Sequence, residues 1–243
     1  MRWRPSAVAC LFPMSSWIDT LLDLAFPRLC LMCGKRLAPG ERHVCATCLG
    51  ALPRTNFHLI SDNLLEERFR GVIPVERTAA LFFYQKGNPS CEIIHRLKYA
   101  GKPDIGVYFG ALLAREAAPS GFFRDIDLLL PVPLSRKRMR RRGYNQAEQI
   151  ACGVSQVTGI PLSADSLARL HDNPTQTRRN RQERLANTEG LFGVEHPDRL
   201  QGKHILLIDD VVTTGATLRA CAEAVCACPD VRISLLALGC TAG

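Results

Sequence analysis

The stretch that decides the fold runs from His204 to Leu218 and reads HILLIDDVVTTGATL. The dense apolar run Ile205 to Ile208 predicts a strand that is covered on both faces. Asp209 and Asp210 follow this run, and a loop of threonines and a glycine leads into a predicted helix over Thr217 to Ala227. A strand, a loop and a helix in this order are typical of an α/β domain.

Other segments repeat this alternation. Apolar runs predict further strands over Thr78 to Tyr84, Asp127 to Val132 and Ile233 to Leu238. Helical periodicity predicts helices over Ser90 to Ala100, Ile105 to Ala117 and Ala147 to Val157. Strands that are apolar on both faces and alternate with helices of this length predict an α/β fold, a parallel sheet flanked by helices.

Four of the eleven cysteines form two Cys-x-x-Cys pairs, Cys30/Cys33 and Cys45/Cys48. One such turn places two sulfurs on one side of a zinc ion, and two turns complete a tetrahedral shell. The segment between the pairs contains Pro39 and Gly40, which allow a hairpin that brings the pairs together. We therefore predict a zinc ribbon with a structural ion. A pair of redox motifs is the alternative, although neither pair stands between a strand and a helix.

These signals divide the chain into three segments. Residues 1–26 are expected to form an N-terminal extension with a short helix, residues 27–55 the four-cysteine zinc ribbon, and residues 72–243 the α/β domain. No apolar run approaches the roughly 20 residues of a membrane helix, so we expect no membrane insertion. Pro13 interrupts the apolar run near the N-terminus, which favours a cytoplasmic protein over a secreted one, and Met14 is an alternative start.

The loop after the acidic pair has the composition of a phosphate site. Backbone amides, hydroxyls and a glycine meet there at a helix N-terminus, whose dipole favours anions. The candidate phosphate ligands are Thr213, Thr214, Gly215, Ala216 and Thr217. Asp209 and Asp210 can accept hydrogen bonds from vicinal sugar hydroxyls, directly or through hydrated Mg²⁺, so the segment predicts a sugar-phosphate site. A strand-terminal aspartate before an ordinary turn is the plainer alternative.

Several motifs resemble those of known families. HILLIDDVVTTGATL resembles the phosphoribosyl-pyrophosphate-binding motif of type I phosphoribosyltransferases, and roughly residues 17 to 240 resemble the ComF/GntX family of competence-associated proteins. The segments that carry the second resemblance are the Cys-x-x-Cys pairs, IHRLKYAGK at Ile94 to Lys102, LLLPVPLSRKRMRRRGYNQAEQIA at Leu128 to Ala151, and Gln176, Arg184 and Asn187 ahead of Gly-Leu-Phe. Arg179 departs from the family pattern, which has an apolar residue there.

The resemblance implies a zinc ribbon followed by a type I phosphoribosyltransferase-like domain. Its implied ligands are phosphoribosyl pyrophosphate and Mg²⁺, with the catalytic-site carboxylates Asp209 and Asp210 on the ribose. Single-stranded DNA or DNA-uptake proteins are the implied partners. The acceptor of a transferred group is undefined in the family. A non-catalytic protein that handles single-stranded nucleic acid with the same fold is therefore the alternative function.

The excess positive charge of +8 lies in two segments. Six of the seven residues from Arg136 to Arg142 are basic, and a second segment holds Arg178, Arg179, Arg181 and Arg184. The first segment is expected to be a loop at the sheet edge of the acidic pair, where the resemblance assigns Arg136 and Arg138 to pyrophosphate. A solvated surface and a nucleic-acid contact, with Tyr144 stacking on a base, are the alternatives.

Lys98 and Lys102 lie at the end of a predicted helix. We interpret them as cations that offset the dipole at the helix C-terminus.

Overall fold

A computed structural model describes residues 27–170 and 190–242. The chain divides into two compact units between Gly50 and Ala51. The predicted N-terminal extension and the second basic segment, with Gln176, Arg179, Arg184 and Asn187, lie outside the described residues. Among the helices of the described segments, none has the length and apolarity needed to cross a membrane.

The first unit is built around the paired cysteines. Antiparallel bridges join Leu29 to Arg36 and Arg42 to Val44, and helix α1 spans Ala46–Gly50. Gly40 has a φ of 86°, which is the left-handed conformation that a glycine turn supplies. The Glu41 amide donates to the Ala38 carbonyl at 3.0 Å, so the chain turns at Pro39 and Gly40 between the two cysteine pairs.

The described residues of the second unit form six strands. In chain order they are β1 (Val75–Phe83), β2 (Leu128–Pro131), β3 (Leu167–Arg169), β4 (Phe192–Val194), β5 (His204–Val212) and β6 (Arg232–Cys240). Four of them form a sheet in the order β1-β6-β5-β2, in which every neighbouring pair is parallel. Strands β3 and β4 form a separate antiparallel pair. The predicted parallel sheet is confirmed.

Helices connect these strands. They are α2 (Leu64–Glu67), α3 (Cys91–Tyr99), α4 (Asp104–Ala117), α5 (Arg136–Arg142), α6 (Gln146–Thr158) and α7 (Ala216–Cys226). The four helices predicted from periodicity correspond to α3, α4, α6 and α7, with ends that differ by at most one residue. Strand β5 extends past its predicted end at Ile208 to Val212 and therefore includes both aspartates.

The core lies on both faces of the sheet. Residues Ile205 to Ile208 of β5 and Leu235 to Leu238 of β6 have no exposed surface. Alternate residues of a strand point to opposite faces, so burial of consecutive residues requires cover on both sides. On one face, Ile205 and Leu207 belong to a buried cluster with Leu218 of α7. This double cover explains why the strands read as uninterrupted apolar runs.

Residues 56–71, which lie between the predicted zinc ribbon and the predicted α/β domain, belong to the second unit. Phe57, Leu65 and Phe69 lie in the same buried cluster as the sheet, and Leu65 and Phe69 are almost fully buried. The second unit thus begins at Ala51, earlier than residue 72. The segment forms a 3-10 turn and a helix of only four residues. Elements this short give no apolar periodicity, so the sequence does not predict that the segment is buried.

The basic segment Arg136 to Arg142 is helix α5 and not the predicted loop. The side chain of Ser135 caps its N-terminus by accepting a hydrogen bond from the Arg138 amide at 3.3 Å. Gly143, with a φ of 81°, ends it. A serine cap and a left-handed glycine are ordinary helix boundaries. Most of the basic side chains are exposed, where water screens their mutual repulsion.

Glycines bring α4 and α6 into close contact. A Cβ atom on Gly110 of α4 would lie 2.2 Å from the Ile150 carbonyl oxygen, and one on Gly153 of α6 would lie 2.1 Å from the Val107 carbonyl oxygen. Both distances are far shorter than a van der Waals contact. The two backbones therefore pack directly against each other, and α6 in turn packs on β5 and β2.

We predict that Gly153→Ala lowers the free energy of unfolding by about 1 to 3 kcal/mol, because the added methyl forces α4 and α6 apart. Intrinsic helix propensity alone predicts the opposite, a gain of about 1 kcal/mol. Urea unfolding measures the difference, with Gln156→Ala at an exposed position of α6 as the control. A Gly153→Ala protein as stable as the wild type would contradict the close packing.

Candidate functional site

The four paired cysteines form a cluster in the first unit. Their sulfurs all lie within 4.8 Å of one another, and the Sγ atoms of Cys33 and Cys45 are 3.9 Å apart. A tetrahedron with zinc–sulfur distances of about 2.3 Å has edges of about 3.8 Å. All four cysteines are free, and the distance between Cys33 and Cys45 is far longer than a disulfide bond of about 2.05 Å. The cluster can therefore hold a structural metal such as zinc.

The electrostatics of this cluster also suit a cation. Burial acts to raise the pKa of the Cys30 thiol, but the amides of Cys33, Cys45 and Met32 outweigh it and lower that pKa to about 6. The pKa of the Cys48 thiol is raised, first by burial and then by the neighbouring sulfurs. Amides stabilise one thiolate, while the others repel further negative charge. A bound cation would relieve this repulsion.

We predict that the purified protein carries about one zinc ion per chain and that Cys45→Ser reduces this content to near zero. The variant should also be cleaved faster by trypsin after Lys35 and Arg36, because metal binding supplies the folding free energy of so small a unit. Elemental analysis measures the metal, and Cys226→Ser, at an exposed cysteine of α7, is the control. Equal zinc in wild type and Cys45→Ser would rule out the assignment.

A second candidate site lies at the carboxyl end of β5. Asp209 and Asp210 are successive residues of this strand, so their side chains project to opposite faces of the sheet. The sequence suggests two carboxylates that face one sugar together. The pleat of the strand instead gives each carboxylate its own surroundings.

Asp210 forms an ion pair with α3. Its Oδ1 atom lies 2.9 Å from Nζ of Lys98, and both side chains are largely buried. Sequence reasoning gave Lys98 only the role of offsetting a helix dipole. Lys98 lies within IHRLKYAGK, one of the segments that carry the family resemblance. That resemblance is the one signal in the sequence that points to a role for Lys98 at the site. Periodicity could not show the contact, because it joins residues 112 positions apart in the chain.

Asp209 is an unusual carboxyl group. Burial, followed by repulsion from Asp210, raises its pKa from 3.8 to about 7, although the Asp210 amide, Lys98 and Arg138 act in the opposite direction. The amide of Asp210 donates to its Oδ1 atom at 2.8 Å. The negative charge of Asp209 also helps to raise the pKa of the buried Cys221 thiol on α7. Near pH 7 this carboxyl can both hold and release a proton.

The loop after β5 is anchored from one side. The Thr213 carbonyl accepts hydrogen bonds from the Arg68 guanidinium and from the Thr241 hydroxyl at 3.2 Å. Gly215 has a φ of 79°, and a Cβ atom there would lie 3.1 Å from the ring of Phe69. Left-handed backbone and lack of space both favour glycine at this position. The loop shape therefore depends on the segment that precedes β1.

The amides of this loop lie at the start of α7, which begins at Ala216. The Ala216 amide donates to the Thr214 hydroxyl at 3.4 Å. Within the described part of the chain, no acceptor is recorded for the amides of Thr214, Gly215 and Thr217. Thr213 and Thr217 are exposed. Amides without acceptors at a helix N-terminus, next to exposed hydroxyls, can bind an anion.

The basic helix α5 contributes to this edge through Arg138. That guanidinium lowers the pKa of Asp209 by its charge, which shows that it lies within electrostatic range of the carboxyl. Arg136 is exposed at the first position of the helix. Of the two predicted arginines, Arg138 is the one whose charge acts on Asp209.

We predict that Asp209→Asn raises the free energy of unfolding by about 2 to 4 kcal/mol at pH 8 and by less at pH 5. The folded-state pKa of about 7 exceeds the unfolded value. The carboxyl therefore stabilises the fold at low pH, and this stabilisation is lost as the pH rises through 7. The neutral amide has no ionisation cost. Urea unfolding at both pH values measures the effect.

Asp198→Asn, at an exposed carboxyl of a 3-10 turn, is the matched control and should change stability little at either pH. If Asp209→Asn were less stable than the wild type at pH 8, the carboxylate would contribute more through its contacts than its burial costs. The raised pKa would then be wrong.

The amino-acid sequence was compared with those of known proteins. No model of a protein family matches the chain. The "DNA utilization protein YhgH" of Escherichia coli (strain K12) is 28% identical over 215 residues, which cover 82% of this chain and 91% of that protein. The "Competence protein ComFC" of Bacillus subtilis (strain 168) is 27% identical over 212 residues, with 86% and 82% covered.

A third relative, the "Competence protein F" of Haemophilus influenzae (strain ATCC 51907 / DSM 11121 / KW20 / Rd), is 27% identical over 195 residues, which cover 80% of this chain and 76% of that protein. All three matches extend over most of both chains, as the resemblance of the motifs predicts. These relatives and the motifs that its own sequence carries support the ComF family for this chain.

Proposed function

We propose that this protein acts in DNA uptake or utilization, and that it binds phosphoribosyl pyrophosphate with Mg²⁺ at the carboxyl end of β5. The first part rests on the names of the relatives, which refer to competence and to DNA utilization. The second part rests on the loop between β5 and α7. Parallel α/β sheets bind ligands beyond the carboxyl ends of their strands, and this loop occupies that position.

The observation that carries the sugar-phosphate site is the one-sided anchoring of the loop. Arg68 and Thr241 hold the carbonyl of Thr213, and Phe69 fills the space behind Gly215. These contacts leave the amides of the loop to a ligand. The 5′-phosphate of a phosphorylated pentose has the charge and the acceptor oxygens that such amides and the dipole of α7 bind.

The two aspartates then serve the ribose in different ways. Asp210 exchanges its contact with Lys98 for the ribose hydroxyls or for Mg²⁺, which has a preference for carboxylate oxygens. Lys98, released from Asp210, can pair with the pyrophosphate group together with Arg138. Asp209, whose side chain projects to the opposite face of β5, acts on the ribose site through its charge, which is present above pH 7, where its carboxyl is ionised. The site therefore supplies a carboxylate for the sugar and cations for the pyrophosphate.

A second function, the handling of single-stranded nucleic acid, is favoured by α5. This helix places six basic side chains within seven residues, most of them exposed. Clustered lysines and arginines neutralise phosphates without regard to base sequence. The names of the relatives refer to DNA and not to a sugar phosphate, so this function stands beside the first.

We predict that phosphoribosyl pyrophosphate at about 100 times its Kd, in the presence of Mg²⁺, raises the melting temperature by about 5 °C or more. Asp210→Asn should lose most of this rise, because the variant lacks the charge that binds the sugar or the metal ion. Asp198→Asn, which removes one exposed carboxylate elsewhere, should keep it. Differential scanning fluorimetry measures all three proteins.

Single-stranded DNA is tested in parallel with the same proteins. If phosphoribosyl pyrophosphate with Mg²⁺ leaves the melting temperature unchanged while single-stranded DNA raises it, and high salt abolishes that rise, the sugar-phosphate site is excluded. An undiminished rise in Asp210→Asn would remove the role of the carboxylate and leave the loop alone as the phosphate site.

A further inference from the structure

Helices α3 and α5 bring four side chains together at the surface of the second unit. The guanidinium carbons of Arg141 and Arg142 lie 5.5 Å and 5.6 Å from the centroid of the Tyr99 ring. The His95 ring, one turn earlier on α3, has its centroid 5.1 Å from that of Tyr99 and is tilted by 51°. We refer to His95, Tyr99, Arg141 and Arg142 as the tyrosine–arginine cluster.

The ring of Tyr99 is accessible to a ligand. Tyr99 is 56% exposed, which is unusual for an aromatic residue with no partner in a hydrophobic core. The guanidinium groups of Arg141 and Arg142 lie over the ring within the ~6 Å of a cation–π contact, and more than half of the residue still remains exposed. Tyr144, the aromatic residue that the sequence suggests for base stacking, donates its hydroxyl to the Leu97 carbonyl at 2.5 Å and is partly buried.

Arg142 has an unsatisfied donor at the same place. Its Nη1 atom donates to Gln146 at 2.6 Å, while its buried Nε atom has no hydrogen-bond partner among the described residues. A buried N–H group without an acceptor is costly, and more so when it carries charge. An anionic oxygen of a ligand would satisfy it. A phosphate next to an aromatic face is the pair of groups that one nucleotide presents.

The charge around the cluster fits a chain of phosphates. Arg138 and Arg140 continue the basic surface along α5. The nearest acid on α3, Glu92, is already paired with Arg96 at 2.6 Å and lies 3.8 Å from His95. Lys98, the residue before Tyr99, contacts Asp210. The cluster therefore adjoins the candidate site at the carboxyl end of β5, which we call the carboxyl-edge site. Successive phosphates of a nucleic-acid strand would therefore each lie near one of the arginines of α5.

We propose that the tyrosine–arginine cluster binds one nucleotide of a single-stranded nucleic acid, with the base stacked on Tyr99 and its phosphate on Arg142. This inference deepens the nucleic-acid part of the proposed function and rests on it. A single strand is the fitting partner because its bases expose their faces, whereas a duplex hides them. The site is independent of base identity, since every base has a face that can stack.

The test measures the anisotropy of a fluorescent 20-nucleotide thymidine strand on titration with the full-length protein. Tyr99→Leu keeps the apolar volume but removes the ring. It should weaken binding by about five- to a hundred-fold, the range for the loss of one stacked base. Tyr99→Trp should restore binding. An abasic strand of equal length should bind the wild type and Tyr99→Leu with similar affinity, because it offers phosphates without bases.

Charge variants separate the phosphate contact from stacking. Arg142→Gln should lower the slope of log affinity against log salt concentration by about 1, whereas Tyr99→Leu should leave that slope unchanged. The matched control is Arg124→Gln, an exposed arginine before β2, that is, at the amino end of the parallel sheet. It should change neither affinity nor slope. Melting temperatures confirm that each variant is folded.

Three results would overturn the proposal. They are equal affinity of wild type and Tyr99→Leu for the thymidine strand, equal loss of affinity in Arg142→Gln and Arg124→Gln, and competition by thymidine monophosphate as strong as by the strand. The last result would point to a free nucleotide. The same preparations are tested with phosphoribosyl pyrophosphate and Mg²⁺. If Tyr99→Leu keeps the rise in melting temperature with phosphoribosyl pyrophosphate, the sugar-phosphate site is intact in this variant. A loss or lack of effect on strand binding then concerns the tyrosine–arginine cluster alone.

Discussion

The left-handed turn at Gly215 is the constraint on which the carboxyl-edge site depends. The chain must leave a buried central strand and enter α7 within a few residues, and the ring of Phe69 lies where a side chain at Gly215 would project. Arg68 and Thr241 fix the carbonyl of the preceding loop residue. The Thr213 carbonyl is therefore held by the protein, while no acceptor among the described residues is recorded for the amides of Thr214, Gly215 and Thr217. A ligand at the proposed site would meet a loop that is already held in place, so little reorganisation would oppose its binding.

The charges at this edge are arranged around a buried carboxyl that is costly to ionise. Asp209 has a pKa near 7 because burial and Asp210 oppose its negative charge, while Lys98 and Arg138 only partly compensate. A cation that arrives with a ligand would lower that cost. The ligand binding proposed at this edge would thus be coupled to loss of the Asp209 proton, because burial raises the pKa of that carboxyl. Lys98 links the site to α3 and, through the adjacent Tyr99, to the tyrosine–arginine cluster.

The two units obtain their stability from different sources. The second unit buries consecutive residues of β5 and β6 on both faces of a parallel sheet, so burial of apolar surface is its main stabilising term. Residues 27–50, the described part of the first unit, include few buried apolar side chains, among them Leu37 and Val44. Its four sulfurs instead converge within 4.8 Å. A unit of this size without a large core is expected to depend on a metal ion for its fold.

Local patterns in the sequence determined the features that depend on near neighbours in the chain. They include the parallel sheet, the four main helices, the two cysteine pairs, and the loop that starts α7. Each of these patterns lies within a short segment, so it can be recognised without knowing which distant residues the segment contacts. The cap and glycine that bound α5 were present as well, but the density of arginines suggested a loop.

The path of the whole chain in three dimensions sets which distant residues meet. It placed Lys98 against Asp210, Phe69 behind Gly215, and Tyr99 beneath the arginines of α5. It also separated the side chains of Asp209 and Asp210, which are adjacent in the sequence, onto opposite faces of one strand. Periodicity records which side of an element is buried. It carries no information on what packs against that side, because such contacts depend on the path of the whole chain.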